Sequence, residues 1–303
     1  MWAQVICVHD GINTHTNRYT TYLRQTGTKP SIHSLRNNTL MANTNTTATL
    51  EFLGTGTSTG VPIPGCSCPV CRSCDPHDNR LRSSVLIRNG RHTLVIDTGP
   101  EFRIQCLRAG LTHLDAVLIT HNHADHIFGL DDVRPYSVFK RQTLPVWGSR
   151  HTLDSIRLRF DYIWNAMQVG GGLPDISLNE AGGIFEAAGM RITPLPIKHG
   201  KMDILGFRIG SLAYMSDVSA VPDETLPLLE GLDTMIISCV RHRKHQTHLN
   251  IAGAKALHRL IAPRQTFLTH LTHYFFHKDL IGLMPVDITP AYDGMRLEFS
   301  LET

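Results

Sequence analysis

Apolar residues fall in short runs along this chain, and several runs stop at a histidine or an aspartate. Residues 48–53 alternate apolar and polar, which predicts a strand. Residues 83–87 and 92–96 read as a strand pair turning at Asn89-Gly90. Asp97-Thr98-Gly99-Pro100 then ends a strand and opens a helix predicted to reach Ala109, with Gly110 as its C-cap. Residues 116–119 form an apolar run of the kind found in buried strands. Leu153, Ile156, Leu158, Phe160, Tyr162, Ile163 and Trp164 give residues 151–168 a mostly helical pattern. Gly170-Gly171-Gly172-Leu173-Pro174 breaks it, predicting a lid or inserted loop near 165–183. Further strands are predicted at 191–197, 205–209, 212–215, 234–237, 266–269 and 295–299. Helices are predicted at 222–229, with Pro at its start, and at 251–260, capped by Asn250 and stopped before Pro263.

Strands precede helices in both halves, and no short repeat is present. Two β-rich halves with their own helices predict an α/β fold, a four-layer sandwich with two sheets packed face to face. Residues 48–303 are assigned to one domain. Residues 1–47 are rich in Thr, Asn and Ser without a sustained period, and are expected to be a disordered or non-native N-terminal extension. A transit peptide, a flexible tail and a true start at Met41 are the readings of it, the last favoured slightly because the first strand follows closely.

Composition changes this picture in three places. The formal charge of +3 originates in residues 1–47, where Arg18, Arg24, Lys29 and Arg36 face Asp10 alone. The body is neutral, which argues against a protein whose main task is to grip long nucleic acid. No apolar run approaches the length of a membrane span. Seven cysteines are an odd number, and Cys66, Cys68 and Cys71 crowd together. That favours metal binding in a reducing, cytoplasmic compartment over a disulfide framework, with organelle targeting by residues 1–40 left open.

The chemistry lies where the runs end. Residues 116–119 deliver His121, His123, Asp125 and His126. Alternation places the first three on one side of an extended segment, with His126 starting the next element. Imidazole and carboxylate together suit Zn, Mn or Fe. Four such ligands exceed the need of one open catalytic site and are better divided between two adjacent ions. The same grammar, a buried strand and then a ligand, recurs at His199, Asp217 and His270. A lone His at a strand end is more often structural, and the shared grammar reverses that reading. Cys66, Cys68 and Cys71 supply three thiolates and need a fourth ligand for a closed zinc site. His273 and, below it, Cys74 are the candidates. Gly54 to Gly60 lacks the Lys and Ser/Thr ending of a phosphate loop and reads as a close backbone approach near the metals.

This pattern over residues 48–303 resembles the metallo-β-lactamase superfamily of hydrolases, most specifically in H-x-H-x-D-H. The resemblance implies an αββα sandwich with a dinuclear site at the sheet rim. It implies one ion on His121, His123 and His199 and a second on Asp125, His126 and His270. Asp217 and a hydroxide would bridge the two, with Asp125 also counted as catalytic. The Cys66-x-Cys68-x-x-Cys71 cluster, Leu268-Thr269-His270 with His273, the stretch from Thr193 to His199 and Tyr292-Asp293-Gly294-Met295 resemble more closely the phosphoribosyl cyclic phosphate phosphodiesterase family of the bacterial carbon–phosphorus lyase pathway. That resemblance implies a structural zinc on Cys66, Cys68, Cys71 and His273, two catalytic divalent ions (Mn or Zn) and a homodimer. It also implies a catalytic role for His248, contacting the phosphate or protonating the leaving oxygen. Arg241, Arg243 and Lys244 read either as an anion-attracting rim or as a solvated loop.

The expected function is a dinuclear metal-dependent phosphodiesterase acting on small cyclic or nucleotide-like phosphodiesters through a metal-bridging hydroxide. A tRNA 3′-processing endonuclease, a lactone or thioester hydrolase and a non-catalytic metal-binding protein are the alternatives.

Overall fold

A computed structural model describes residues 46–165 and 172–302. The extension expected over 1–47 lies, apart from its last two residues, outside the described residues, as do Gly170 and Gly171 of the glycine break. Residues 44–303 form one compact unit.

The first sheet is built from β1 (Thr47–Gly54), β2 (Ser84–Asn89), β3 (His92–Ile96), β4 (Ala116–Leu118), β5 (Leu144–Gly148) and β6 (Ile176–Glu180). The second contains β7 (Phe185–Ala187), β8 (Met190–His199), β9 (Met202–Ile209), β10 (Leu212–Met215), β11 (Thr234–Ser238), β12 (Gln265–Thr269) and β13 (Ile288–Pro290). The last strand, β14 (Arg296–Ser300), returns to the first sheet beside β1. The strand orders are β14-β1-β2-β3-β4-β5-β6 and β13-β12-β11-β10-β9-β8-β7.

Strands buried on both faces read as continuous apolar runs, as β4 and β11 do. Leu50, Phe52, Ile87, Ile96 and Leu118 from one sheet meet Ile192, Phe207, Ile209, Tyr214 and Ile236 from the other in the central core. The outer face of the first sheet packs under α1 (Phe102–Arg108), α3 (Arg134–Lys140) and α4 (Arg150–Arg159), with Val95, Val117 and Val146 against Phe102, Val133 and Ile156. Met215, Ile237 and Leu268 cover the outer face of the second sheet, under α5 (Ile251–Ile261) and α6 (His277–Leu283). The result is the four-layer αββα sandwich. A short α2 (Ala124–Ile127) stands at the rim.

Parallel pairing decides where the polar ends fall. Ile96 pairs with Leu118, Met215 with Ile237, and Ile237 with Leu268. Parallel strands in register finish on one side, so the segments after β3, β4, β10 and β12 emerge together. The carbonyl of Thr120 accepts from the N–H of Leu205, linking the two sheets at that rim.

The structure corrects three local expectations. Residues 176–180, expected in a lid, form edge strand β6, paired with β5 from Leu144↔Ile176 to Gly148↔Glu180. Its outer position tolerates Ser177 and Asn179, which hid the pattern. Residues 222–229 hold only a 3-10 turn, Leu226–Leu229, because Pro227 lacks the N–H a longer helix needs. Asp125 lies in the first turn of α2 instead of on an extended segment, and reaches the rim from there.

Candidate metal centre

His121 and His123 leave the end of β4, and Asp125 and His126 sit on α2. His199 ends β8, Asp217 follows β10 after Ser216, and His270 follows β12 directly. The structure gathers all seven into two groups. One holds His121, His123, His199 and Asp217, the other Asp125, His126, Asp217 and His270. Within each, the ligand atoms lie within 4.8 Å of one another. Asp217 belongs to both.

Close approach of the backbone makes this possible. A Cβ on Gly99 would lie 2.4 Å from the carbonyl oxygen of Asp125, and one on Gly129 would lie 2.0 Å from that of Gly99. The two glycines let α2 press against the Asp97–Gly99 turn. There Thr98 N–H donates to the His126 carbonyl and Gly129 N–H to the Thr98 carbonyl, both at 2.8 Å. Three of the six non-glycine residues with left-handed backbone among the described residues lie here: Asp97, Asp217 and His270. Such strain persists where the surrounding structure over-determines it, and it clusters at functional sites.

The ring nitrogens turned away from the centre are tied down. His126 Nδ1–H donates to Asp97 Oδ2 at 2.7 Å. Thr120 Oγ1 donates to Asp97 and lies 3.0 Å from His121 Nδ1. His199 Nδ1–H faces the carbonyls of Thr247 and Asp217, at 2.7 and 2.9 Å. This arrangement orients imidazoles that bind metals.

Among the nitrogens turned inward, His121 Nε2 and His123 Nδ1 meet at 2.9 Å, while those of His126 and His270 lack partners. His126 Nε2 is 3.3 Å from Asp125 Oδ2 and 3.4 Å from Asp217 Oδ1, yet makes no hydrogen bond. His270 Nδ1 is 3.1 Å from Asp217 Oδ1 but is not aligned to bond it. Burial opposes a charge on His126, and Asp217, Asp97 and Asp125 outweigh it, raising its pKa well above the ordinary value. Burial likewise works against the Asp217 carboxylate, yet His270 and His126 hold its pKa well below the usual range. Carboxylates and unpartnered imidazole nitrogens converging on one buried space suit cations, so the donor set fits divalent ions.

The thiol cluster is equally defined. Cys66, Cys68, Cys71 and His273 form one group, with sulfurs 3.4, 3.6 and 3.5 Å from His273 Nδ1. A tetrahedral zinc with ordinary bond lengths separates sulfur and nitrogen ligands by about 3.6 Å. Backbone N–H groups of Ile63 and Cys71 point at the sulfurs of Cys71 and Cys68, each at 3.4 Å, as thiolates prefer. Cys74 is exposed and outside the group, so His273 takes the fourth place.

His248 stands beside both groups. Its ring lies 4.6 Å from that of His199 and stacks at 5.0 Å and 24° on His270. Its Nδ1 is 4.0 Å from Asp217 Oδ2 and makes no hydrogen bond. Of the basic run, the Arg241 guanidinium bonds the Lys244 carbonyl, which braces the loop leading to His248. The glycine loop Gly54–Gly60 approaches Arg80 and Arg82 closely, and Gly56 bridges to Leu271, next to His270. Asp97 and Thr120 were not among the residues expected to serve the site. The apolar run 94–96, followed by Asp97, carries the same signal as the other ligand-bearing runs.

Comparison with known proteins places this geometry. The β-lactamase superfamily domain matches residues 92–271, and the chain belongs to that superfamily, as a metallo-β-lactamase-fold hydrolase. A crystal structure of a diphosphatase from the PhnP family is 38% identical, with a TM-score of 0.79, over 85% of this chain and 99% of that one. Within the superfamily the chain therefore belongs with the PhnP family. The octanoyltransferase of Porphyromonas gingivalis is 39% identical over 250 residues, 81% of this chain and 50% of that protein. Ribonuclease Z of Bradyrhizobium diazoefficiens is 27% identical over 136 residues, 44% of this chain and 45% of that protein. The chain thus spans about half the length of these curated relatives.

Proposed function

We propose that this protein is a dinuclear metal-dependent hydrolase of small phosphodiesters. The observation that carries the reading is Asp217, shared by two four-ligand groups on one rim. His121, His123 and His199 would hold one divalent ion, Asp125, His126 and His270 the other, and Asp217 both. When bound, such a pair supplies Lewis acidity to a phosphoryl oxygen and lowers the pKa of water. Cys66, Cys68, Cys71 and His273 would hold a structural zinc.

The chain's own residues do the rest. Asp97 fixes His126 directly and His121 through Thr120, so both rings present their Nε2 atoms inward. Burial pushes the His248 pKa down to about 3, so its imidazole is neutral near pH 7. In that form it serves as a hydrogen-bond donor to a phosphoryl or leaving oxygen, in preference to the proton-delivering role considered from the sequence. Arg241, Arg243 and Lys244 lie on the loop leading to His248 and would favour an anionic substrate.

A second reading, cleavage of a diphosphate linkage, is supported by the diphosphatase relative. Both present a phosphorus bearing two substituted oxygens. The name of the octanoyltransferase belongs to a protein of which this chain matches half, so acyl transfer enters only as something to test.

The Mn- and Zn-loaded protein should be assayed against an aryl phosphodiester, a cyclic nucleotide, a diphosphate diester, a lactone, an octanoyl thioester and pre-tRNA. Turnover of one of the first three, abolished by Asp217→Asn, is expected. Faster turnover of lactone, thioester or pre-tRNA than of any small phosphorus substrate would overturn the reading.

A further inference from the structure

Three residue steps connect the two metal-type groups. His270 belongs to the His/Asp group and His273 to the thiol group. The backbone between them is fixed at each position. His270 sits in the left-handed region, φ 55°, a strained conformation for a non-glycine residue. Leu271 N–H donates to the Thr55 carbonyl at 2.8 Å, and Thr57 N–H donates to the Leu271 carbonyl at 3.2 Å. The Thr272 hydroxyl donates to the Val240 carbonyl.

The far end of this strap is His273. Its Nδ1 faces the three thiols. The thiols ride on a separate segment braced by the 3-10 turn Val70–Arg72. An ion shared by the four ligands therefore clamps a strap whose other end is His270. Without that ion the ring of His273 has three thiols to avoid or to share protons with, and the strain at His270 has one fewer restraint opposing its release.

We infer that Cys66, Cys68, Cys71 and His273 are positioning residues for His270, so that occupancy of the thiol site governs binding of the ion held by Asp125, His126, Asp217 and His270. This rests on the reading that the His/Asp groups hold two ions, and it adds a hierarchy: the thiol site fills first, and the second ion depends on it.

Two measurements test it. Elemental analysis of purified Cys68→Ser and His273→Ala should find two fewer ions per chain than in the unchanged protein. His273→Cys, which keeps four ligands, and Cys74→Ser, outside the group, should keep the full number. Loss of a single ion from folded Cys68→Ser and His273→Ala would overturn the inference. Circular dichroism establishes which variants are folded. The second measurement uses the unchanged chain, stripped of metal and titrated with Co(II). The thiolate–cobalt charge-transfer band should saturate before the last equivalent binds to the His/Asp ligands. Filling of both His/Asp groups before that band grows would overturn it independently of folding. If His121→Ala and Asp125→Ala leave the ion count of the unchanged protein intact, it is the dinuclear reading that fails.

Discussion

Asp97 and His126, both fully buried, are joined by a hydrogen bond of 2.7 Å from the imidazole Nδ1–H to the carboxylate. The same carboxylate accepts from the hydroxyl and the N–H of Thr120. One side chain thereby sets the ring orientation of His126 and, through Thr120, of His121. Replacing it with an amide keeps the size but weakens the acceptor. Asp97→Asn is therefore expected to lower metal affinity by about 10- to 100-fold, the usual effect of removing such a partner. Chelator competition, read as the free metal concentration at half-loading, checks it. An unchanged affinity would remove Asp97 from the site.

The backbone contact under α2 makes a separate prediction about stability. At Gly129 a Cβ would fall 2.0 Å from the carbonyl oxygen of Gly99, an atom that cannot swing aside. Gly182 has nothing within 4 Å of the same position. Gly129→Ala should cost about 1–3 kcal/mol or more, as overpacking does, and should weaken metal binding because Asp125 and His126 move with the helix. Gly182→Ala should change stability by less than about 0.5 kcal/mol. Denaturant midpoints of the two variants decide the matter.

These two relationships also mark what could be read from the sequence. Buried strands leave apolar runs, and a ligand at the end of each run stands out, so His121, His199, Asp217 and His270 were legible. So were the thiols, whose spacing is itself the signal. The strand at Leu144–Gly148 was not, because Pro145 interrupts it, and Pro is unusual inside a sheet. The strand at Ile176–Glu180 was masked by its position at an edge, where polar residues are tolerated. Asp97 ended a recognisable run, but its role depends on where α2 lies against the Asp97–Gly99 turn. That contact is set by Gly99 and Gly129 across 30 residues of chain, and no local pattern reports it.

A pH dependence follows from a histidine that is not among the metal ligands. His277 accepts from the Arg80 guanidinium at 3.3 Å, and its ring packs 4.9 Å from that of His77. Burial, with Arg80 and His77 beside it and only partly offset by Asp75 and Asp78, pushes its pKa down to about 4. In the unfolded chain it titrates near 6.5. Between about pH 4 and 6.5 the unfolded state thus binds more protons, and stability falls as pH is lowered. The contribution is fully present above 6.5 and decreases down to about 4. Allowing for solvent screening, the loss from pH 7 to 4.5 should be roughly 1–2 kcal/mol. His277→Gln should lose about that much less over the same interval. Equal slopes for the two proteins would exclude His277 as a source.

His248 offers the sharpest division between holding metal and using it. Its ring contacts those of His199 and His270 without an aligned bond to Asp217. It is thus beside the ligands without being needed among them. His248→Ala should keep the ion count of the unchanged protein and lower kcat by about 10²- to 10³-fold, the range expected when a donor to developing charge is removed. The pH dependence separates its two possible roles. Burial and the neighbouring His270 hold its pKa at about 3, and bound cations would press it lower still. Across pH 6 to 8 the imidazole then stays neutral. The ratio of kcat for the unchanged protein and the variant should accordingly be flat over that interval. A ratio that falls as pH rises through 7 would instead identify His248 as a proton donor titrating there, and would return it to the acid role.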